Sequence, residues 1–407
     1  MPSDRTSDRD GEPRSGFARL VFKLREGKTR WLRRRFVVEL TTPTTRIGQW
    51  LHRIAGALLA TALVPARLVS AKSAMPKQHS ALVAFYDLRV APITFDFLWF
   101  LVGADLRRRR LGLLELHVVI VPGPHHGVRA ERDDYEEVID PDARRWRIHN
   151  MLIPACALLP VPCAITLTSS REQASALRSA AGRHVYPIGY ETILPIPHHP
   201  SDCLTAARTE NAPIAVLRSE GEALRAVDDW LKARGKGTSR LVTITLRGYS
   251  YMPARNSSLK DWVVFAEGLD PASFFVVFVP DTEQTLRPPL AELVKFPVFS
   301  EASWNIGLRM ALYERAYLNL GVNGGPMGLC WLNAKTRYIT FRMITDSVPQ
   351  ATAEYSRSLG FEIGASLPFA TEFQKWLWEE DDSQAFIERE FCAMVDRIEA
   401  SGQPATP

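Results

Sequence analysis

The chain has 407 residues, 46% of them hydrophobic and 23% charged. This is ordinary globular composition, and it excludes a disordered, collagen-like or polytopic membrane chain. The net charge of +5 is unevenly spread. Residues 1–72 hold 15 Lys/Arg against six Asp/Glu, so the rest of the chain sums to −4, and a body without basic excess argues against nucleic acid as the partner.

The N-terminal segment, 1–76, divides in three. Residues 1–15 are a polar tail. Residues 17–38 mix Lys/Arg with Phe17, Phe22 and Trp31. The apolar run at 54–66, next to Trp50, spans 13 residues, short of the roughly 20 that a membrane span needs. It also lies too far into the chain for a secretory signal. The expectation is a peripheral anchor on an anionic membrane surface, at the inner face of the plasma membrane of a cytoplasmic protein. Cys156, Cys163, Cys203, Cys330 and Cys392 form no CxxC pair. They fit reduced core thiols rather than a disulfide or metal framework.

The body alternates strands and helices. A strand over 81–88 leads into a helix capped near Thr94 and ending in four arginines at 107–110. A second strand over 113–123, a helical stretch over 142–158, a third strand over 164–170 and a helix closed by Gly182 complete an N-terminal α/β domain, 77–187. Residues 188–235 are a Pro-rich linker with one helix over 219–234. Strands over 241–247, 274–282, 317–322 and 336–344, with helices between them, build a C-terminal α/β domain, 236–368, and 369–407 is expected as closing helix and tail. Strand–helix alternation predicts parallel sheets covered on both faces. The fold class is therefore α/β, two Rossmann-like domains facing a cleft.

In such sheets ligands bind beyond the carboxyl ends of the strands. There the strand at 317–322 runs into Asn323-Gly324-Gly325-Pro326, a turn whose N–H groups can face a diphosphate at a helix start. Arg247 ends the strand over 241–247, and Arg255 and Asn256 follow in the loop after it. Guanidinium forks match phosphate oxygens. Asp281 and Glu283, after the next strand, can accept from a ribose or sugar hydroxyl. In the first domain Asp87 ends the first strand, His125 and His126 follow the second, and these are the candidate bases for an acceptor hydroxyl. His198 and His199 are expected to be solvated. There is no GxxxxGK[ST], GxGxxG, HExxH or GxSxG, and no metal or cofactor is expected.

The segments LVTITLR, RNSSLKDW, FFVVFVPDTE and RMALYERAYLNLGVNGGPMGLCWLN together resemble the GT-B glycosyltransferases, in particular their bacterial heptosyl- and fucosyltransferase-like groups. The resemblance implies a donor diphosphate at Asn323, Gly324, Gly325 and Pro326 with Arg247 as a clamp. It also implies a nucleotide-sugar as substrate and a glycan or lipid-linked acceptor in bacterial surface polysaccharide assembly. A C-terminal helix returning to the first domain is a further expectation. Two alternatives stay open, a nucleotide-sugar 2-epimerase and a non-catalytic sugar-binding protein of the envelope.

Overall fold

The computed structural model describes residues 50, 51, 54, 55 and 58, then 81–131, 133–236, 240–284, 288 and 290–402. The expected basic tail and most of the 54–66 apolar run lie outside these residues. Of the segment before residue 76, positions 50, 51, 54, 55 and 58 are helical, and Trp50, Ile54 and Leu58 expose their side chains. Among the described residues no helix is long and apolar enough to cross a membrane.

The body holds two parallel sheets. The first runs β3-β2-β1-β4, with β1 Ala81–Asp87, β2 Glu115–Val121, β3 Cys163–Leu167 and β4 Val185–Tyr186. The second runs β6-β5-β7-β8-β9, with β5 Arg240–Thr245, β6 Phe274–Val279, β7 Leu318–Val322, β8 Tyr338–Phe341 and β9 Gln374–Trp376. All pairings are parallel. In each sheet the chain starts in the middle, fills one side, and then crosses back. The order therefore reverses between β1 and β4, and again between β5 and β7, which are the places where open α/β sheets open a crevice.

The central strands β1, β5 and β7 are buried along almost their whole length because both faces are covered, with Thr243 and Asn319 hydrogen-bonded to each other inside the second sheet. Along β1 the even residues Leu82, Ala84 and Tyr86 join a large core containing helix Phe97–Arg110, while Val83 and Phe85 join a smaller one beside helix Arg171–Ala181. The larger core is continuous between the sheets. It includes Phe97, Leu98, Trp99 and Leu101 from the first, and Met310, Leu329, Trp331, Trp376 and Trp378 from the second. Trp331, Trp376, Trp378 and Phe361 meet edge to face across it.

Several elements differ from the sequence reading. β4 has two residues, too few to show any period. The expected linker contains helix Pro200–Glu210, whose Cys203, Leu204 and Ala206 pack into the first domain's core. The segment from 369 begins with strand β9 rather than a helix. Helix Gln384–Ala400 buries Phe386, Ile387, Phe391 and Met394 against Val242, Trp262 and Phe265, so it covers the second sheet and does not return to the first domain.

Buried Asp382 ties this last segment down. Its Oδ2 accepts from Ser258 N (2.8 Å) and Trp262 Nε1 (3.0 Å), and its Oδ1 pairs with Arg342 Nη1 at 3.2 Å. Asp382→Asn keeps the shape and removes the charge. It should lower stability by about 1.5–3 kcal/mol, because Arg342 loses the nearer of its two carboxylates and keeps only Glu380 at 3.9 Å, measured as a lower urea midpoint at unchanged slope.

Candidate functional site

A cavity of about 650 Å³ opens at the carboxyl ends of both sheets. The second sheet contributes Thr245 at the end of β5 and Arg247 and Arg255 after it, Asp281 and Thr282 after β6, and Asn323 to Met327 after β7. The first contributes Pro92 to Asp96 from the loop after β1, together with Trp146, Arg147, His198 and His199.

The predicted donor residues converge here. Arg255 Nη2 donates to the Asn323 carbonyl at 3.1 Å, which sets the guanidinium beside the glycine turn. Arg247 donates to the carbonyls of Tyr251 (2.9 Å) and Met252 (3.1 Å), and to Asn256 Oδ1. Loop 248–256 thus wraps around the Arg247 side chain. Neither arginine meets a carboxylate at ion-pair distance among the described residues. Burial, then the neighbouring Arg255 charge, lowers the Arg247 pKa to about 10, and burial lowers that of Arg255. Both remain cations at neutral pH, held by neutral oxygens alone.

Other expectations change. Asn256 does not line the cavity. Its amide braces the loop, accepting from Arg247 and Tyr249 N and donating to the Tyr249 carbonyl at 3.0 Å. Glu283 is likewise a loop brace, accepting from Ser250 N and Oγ at 2.8 and 2.9 Å. Asp281 reaches the cavity, but it also accepts from Thr282 N (2.7 Å) and Gly248 N (3.3 Å). At the start of helix Leu259–Gly268, Ser258 N already donates to Asp382 at 2.8 Å, while Asp261 accepts from Gln384 N at the start of the last helix. After Gly324, whose backbone is extended, a 3₁₀ turn Gly325–Met327 and one helical turn Gly328–Trp331 follow; the helix expected at Pro326 is too short to add a strong dipole. A β-carbon on Gly325 would stand 2.7 Å from the Phe95 ring. That glycine is required by Phe95, whereas a β-carbon on Gly324 would meet only ordinary contacts, Val322 O at 3.6 Å and Pro326 Cδ at 3.8 Å.

The three expected bases lie away from the cavity. Asp87 points with the odd residues of β1 toward helix Arg171–Ala181, since alternate side chains take opposite faces. Its carboxylate is gripped by Arg171 in a two-pronged contact (2.8 Å each), by Tyr190 Oη (2.7 Å) and by Arg89 N (2.9 Å). His125 and His126 sit in a tight exposed turn closed by His125–Val128 hydrogen bonds.

The cavity presents a different acid, Asp96. It occupies the capping position of helix Phe97–Arg110 but makes no cap bond, and instead accepts from Thr94 Oγ1 at 2.9 Å. The carboxylate is therefore exposed to the cleft. It stands close enough to Tyr355 to add to the upward shift that burial gives that phenol. Its sequence signal is Thr94-Phe95-Asp96, two capping residues where one suffices. Buried Arg309 also reaches the cavity. It donates to the Ala302 carbonyl at 2.5 Å and, at 3.4 Å, to Tyr313 Oη and the Pro280 carbonyl.

No family model matches the chain, and no curated protein does. Among solved structures it is similar to a glycosyl transferase family 9 protein from Veillonella parvula DSM 2008, at 11% identity and a TM-score of 0.49 over 79% of this chain and 99% of that one. It is also similar to E. coli ADP-heptose lps heptosyltransferase II, at 9% identity and TM-score 0.40 over 78% and 99%. The wall teichoic acid polymerase TagF is a more distant likeness, at 8% identity and TM-score 0.26 over 87% and 93%.

His198 is not solvated as expected. Its ring packs against Tyr86 and Phe100, and Nε2 donates to the Asp96 carbonyl at 3.0 Å. Burial lowers its pKa to about 4, against roughly 6.5 for a free imidazole. Between these values the unfolded chain binds more protons than the folded one, so stability falls as pH drops from 6.5 to 4. His198→Gln should flatten that part of a melting-temperature profile, and a mutant profile parallel to the wild type would exclude this assignment.

Proposed function

We propose that the chain is a glycosyltransferase that moves a sugar from a nucleotide-sugar to a glycan or lipid-linked acceptor, without a metal, in surface polysaccharide assembly. The observation that carries this reading is the pairing of Arg247 and Arg255 beside the Asn323–Pro326 turn, at the β5/β7 reversal, with an exposed carboxylate, Asp96, on the other wall.

When the bond from the sugar to the diphosphate breaks, negative charge builds on the departing nucleoside diphosphate. Cations already fixed by carbonyls stabilise that charge without reorganising. Asp96 takes the proton from the acceptor hydroxyl as its oxygen bonds to the sugar carbon. Arg255→Ala should weaken ADP or UDP binding by about 1.5–3 kcal/mol. Asp96→Asn should leave that affinity unchanged while turnover falls at least about 100-fold. Isothermal titration and a sugar-transfer assay read the two effects separately.

The basic N-terminal segment fits attachment to an anionic membrane face. Helical positions Trp50, Ile54 and Leu58, each four residues apart, are 63%, 37% and 66% exposed, and each Lys/Arg near such a surface contributes about 1 kcal/mol. A chain beginning at residue 76 should lose binding to phosphatidylserine vesicles and keep nucleotide binding. Full-length protein that ignores these vesicles at low salt would exclude attachment.

A further inference from the structure

We propose that Trp146, Arg147 and Asn150 form the acceptor subsite of this cleft, and that it takes a sugar bearing an acidic group, a phosphate or a carboxylate. The inference rests on the glycosyltransferase reading and names its second substrate. Three independent observations converge on it.

The first is the backbone. Helix Pro141–Arg147 passes directly into a π-helical turn, Ile148–Leu152, before Ile153–Ala155. Such turns are rare and recur at functional sites, where they re-aim side chains. The turn is firmly held, with Ile148 and Leu152 in the first domain's core and Arg144 donating to the Arg129 carbonyl (2.7 Å) and Glu136 (2.9 Å). Asn150 and Met151 of the turn, and Trp146 and Arg147 immediately before it, line the cleft.

The second is an apolar plate. Trp146 is 43% exposed on the cleft wall and has no ring partner among the described residues. Its backbone is fixed by Asn150 Nδ2, which donates to the Trp146 carbonyl at 2.9 Å. An exposed indole beside polar side chains suits the C–H face of a pyranose, whose hydroxyls stay hydrogen-bonded at the rim.

The third is charge. Arg147 Nη2 donates to Tyr249 Oη at 2.8 Å, and the guanidinium lies 5.6 Å from that ring centre. No carboxylate pairs with it among the described residues, and a guanidinium has five N–H donors. A donor diphosphate is already served by Arg247 and Arg255 on the opposite wall. Arg147 is a further cation, next to the plate, on the wall that also presents Asp96. A second anion explains it where a neutral sugar does not.

The test uses the full chain loaded with ADP or UDP, titrated with glucose, glucose 6-phosphate and glucuronic acid, with saturation-transfer NMR as the readout. Wild type should bind both acidic probes about tenfold or more tighter than glucose, as expected of a charged hydrogen bond. The stronger of the two identifies the acidic group. Arg147→Gln should bring both down to the level of glucose, and Trp146→Ala should weaken all three. Tyr249→Phe removes the same hydrogen bond but keeps the cation, and should retain the preference for acids.

No binding of any probe by wild type, equal binding of all three, an acid preference that survives in Arg147→Gln, or its loss in Tyr249→Phe would each overturn the proposal. Nucleotide binding is followed in parallel. Acid preference without ADP or UDP binding would refute the donor reading and leave this subsite standing.

Discussion

The backbone of Gly325 passes so close to Phe95 that any β-carbon would stand 2.7 Å from the ring. Gly325 belongs to the loop after β7 and Phe95 to the loop after β1, so this contact brings together the crevices of two separate sheets. Beneath it Gly328 faces Leu98 at ordinary contact distance, and the apolar core continues from helix Phe97–Arg110 to Trp331 and Trp376. Both chain reversals therefore open into one cavity. Asp96, next to Phe95, inherits its place opposite Arg255 from the same contact.

The cleft's charge follows from how its cations are held. Arg247 and Arg255 are fixed by backbone carbonyls and an amide oxygen, and Arg309 by carbonyls and a phenol. These partners orient a guanidinium without neutralising it. Partly buried charge without a counter-ion is costly, and the downward shifts of Arg247 and Arg255 express that cost. An incoming anion recovers it. Arg247 also organises the loop that reaches the first domain through Tyr249 to Arg147 and through Tyr251 to Tyr135. The residue proposed to hold the donor thus also shapes the wall facing the acceptor.

The parallel strands were legible because continuous apolar runs between Gly/Pro turns have few other solutions. The convergence of Arg247, Arg255 and the Asn323–Pro326 turn was legible from strand ends alone. What the pattern could not show was side-chain direction and loop economy. Asn256 and Glu283 are polar residues in the right loops, yet they are consumed by the backbone of loop 248–256. Helix Pro200–Glu210 was hidden because Pro195, Pro197 and Pro200 suggest a linker, although Pro200 stands at its first turn, where proline is tolerated. Two-residue β4 carries no periodic signal at all.

The difference between Asp87 and Asp96 shows what decides the role of an acid at a strand end. Asp87 is the last residue of β1, and the alternation that sends Phe85 into the rear core sends Asp87 there too. An ionised carboxylate in such a place must be paired, and Arg171, Tyr190 and Arg89 supply the partners. Its lone pairs are spent on joining β1 to helix Arg171–Ala181. Asp96 lies nine residues later, beyond the strand, where alternation no longer applies and the helix start sets direction. Because Thr94 satisfies it with a single hydroxyl, most of its acceptor capacity still faces the cleft. The proposed role of Asp96 as proton acceptor rests on that spare capacity, not on a position at the end of a strand.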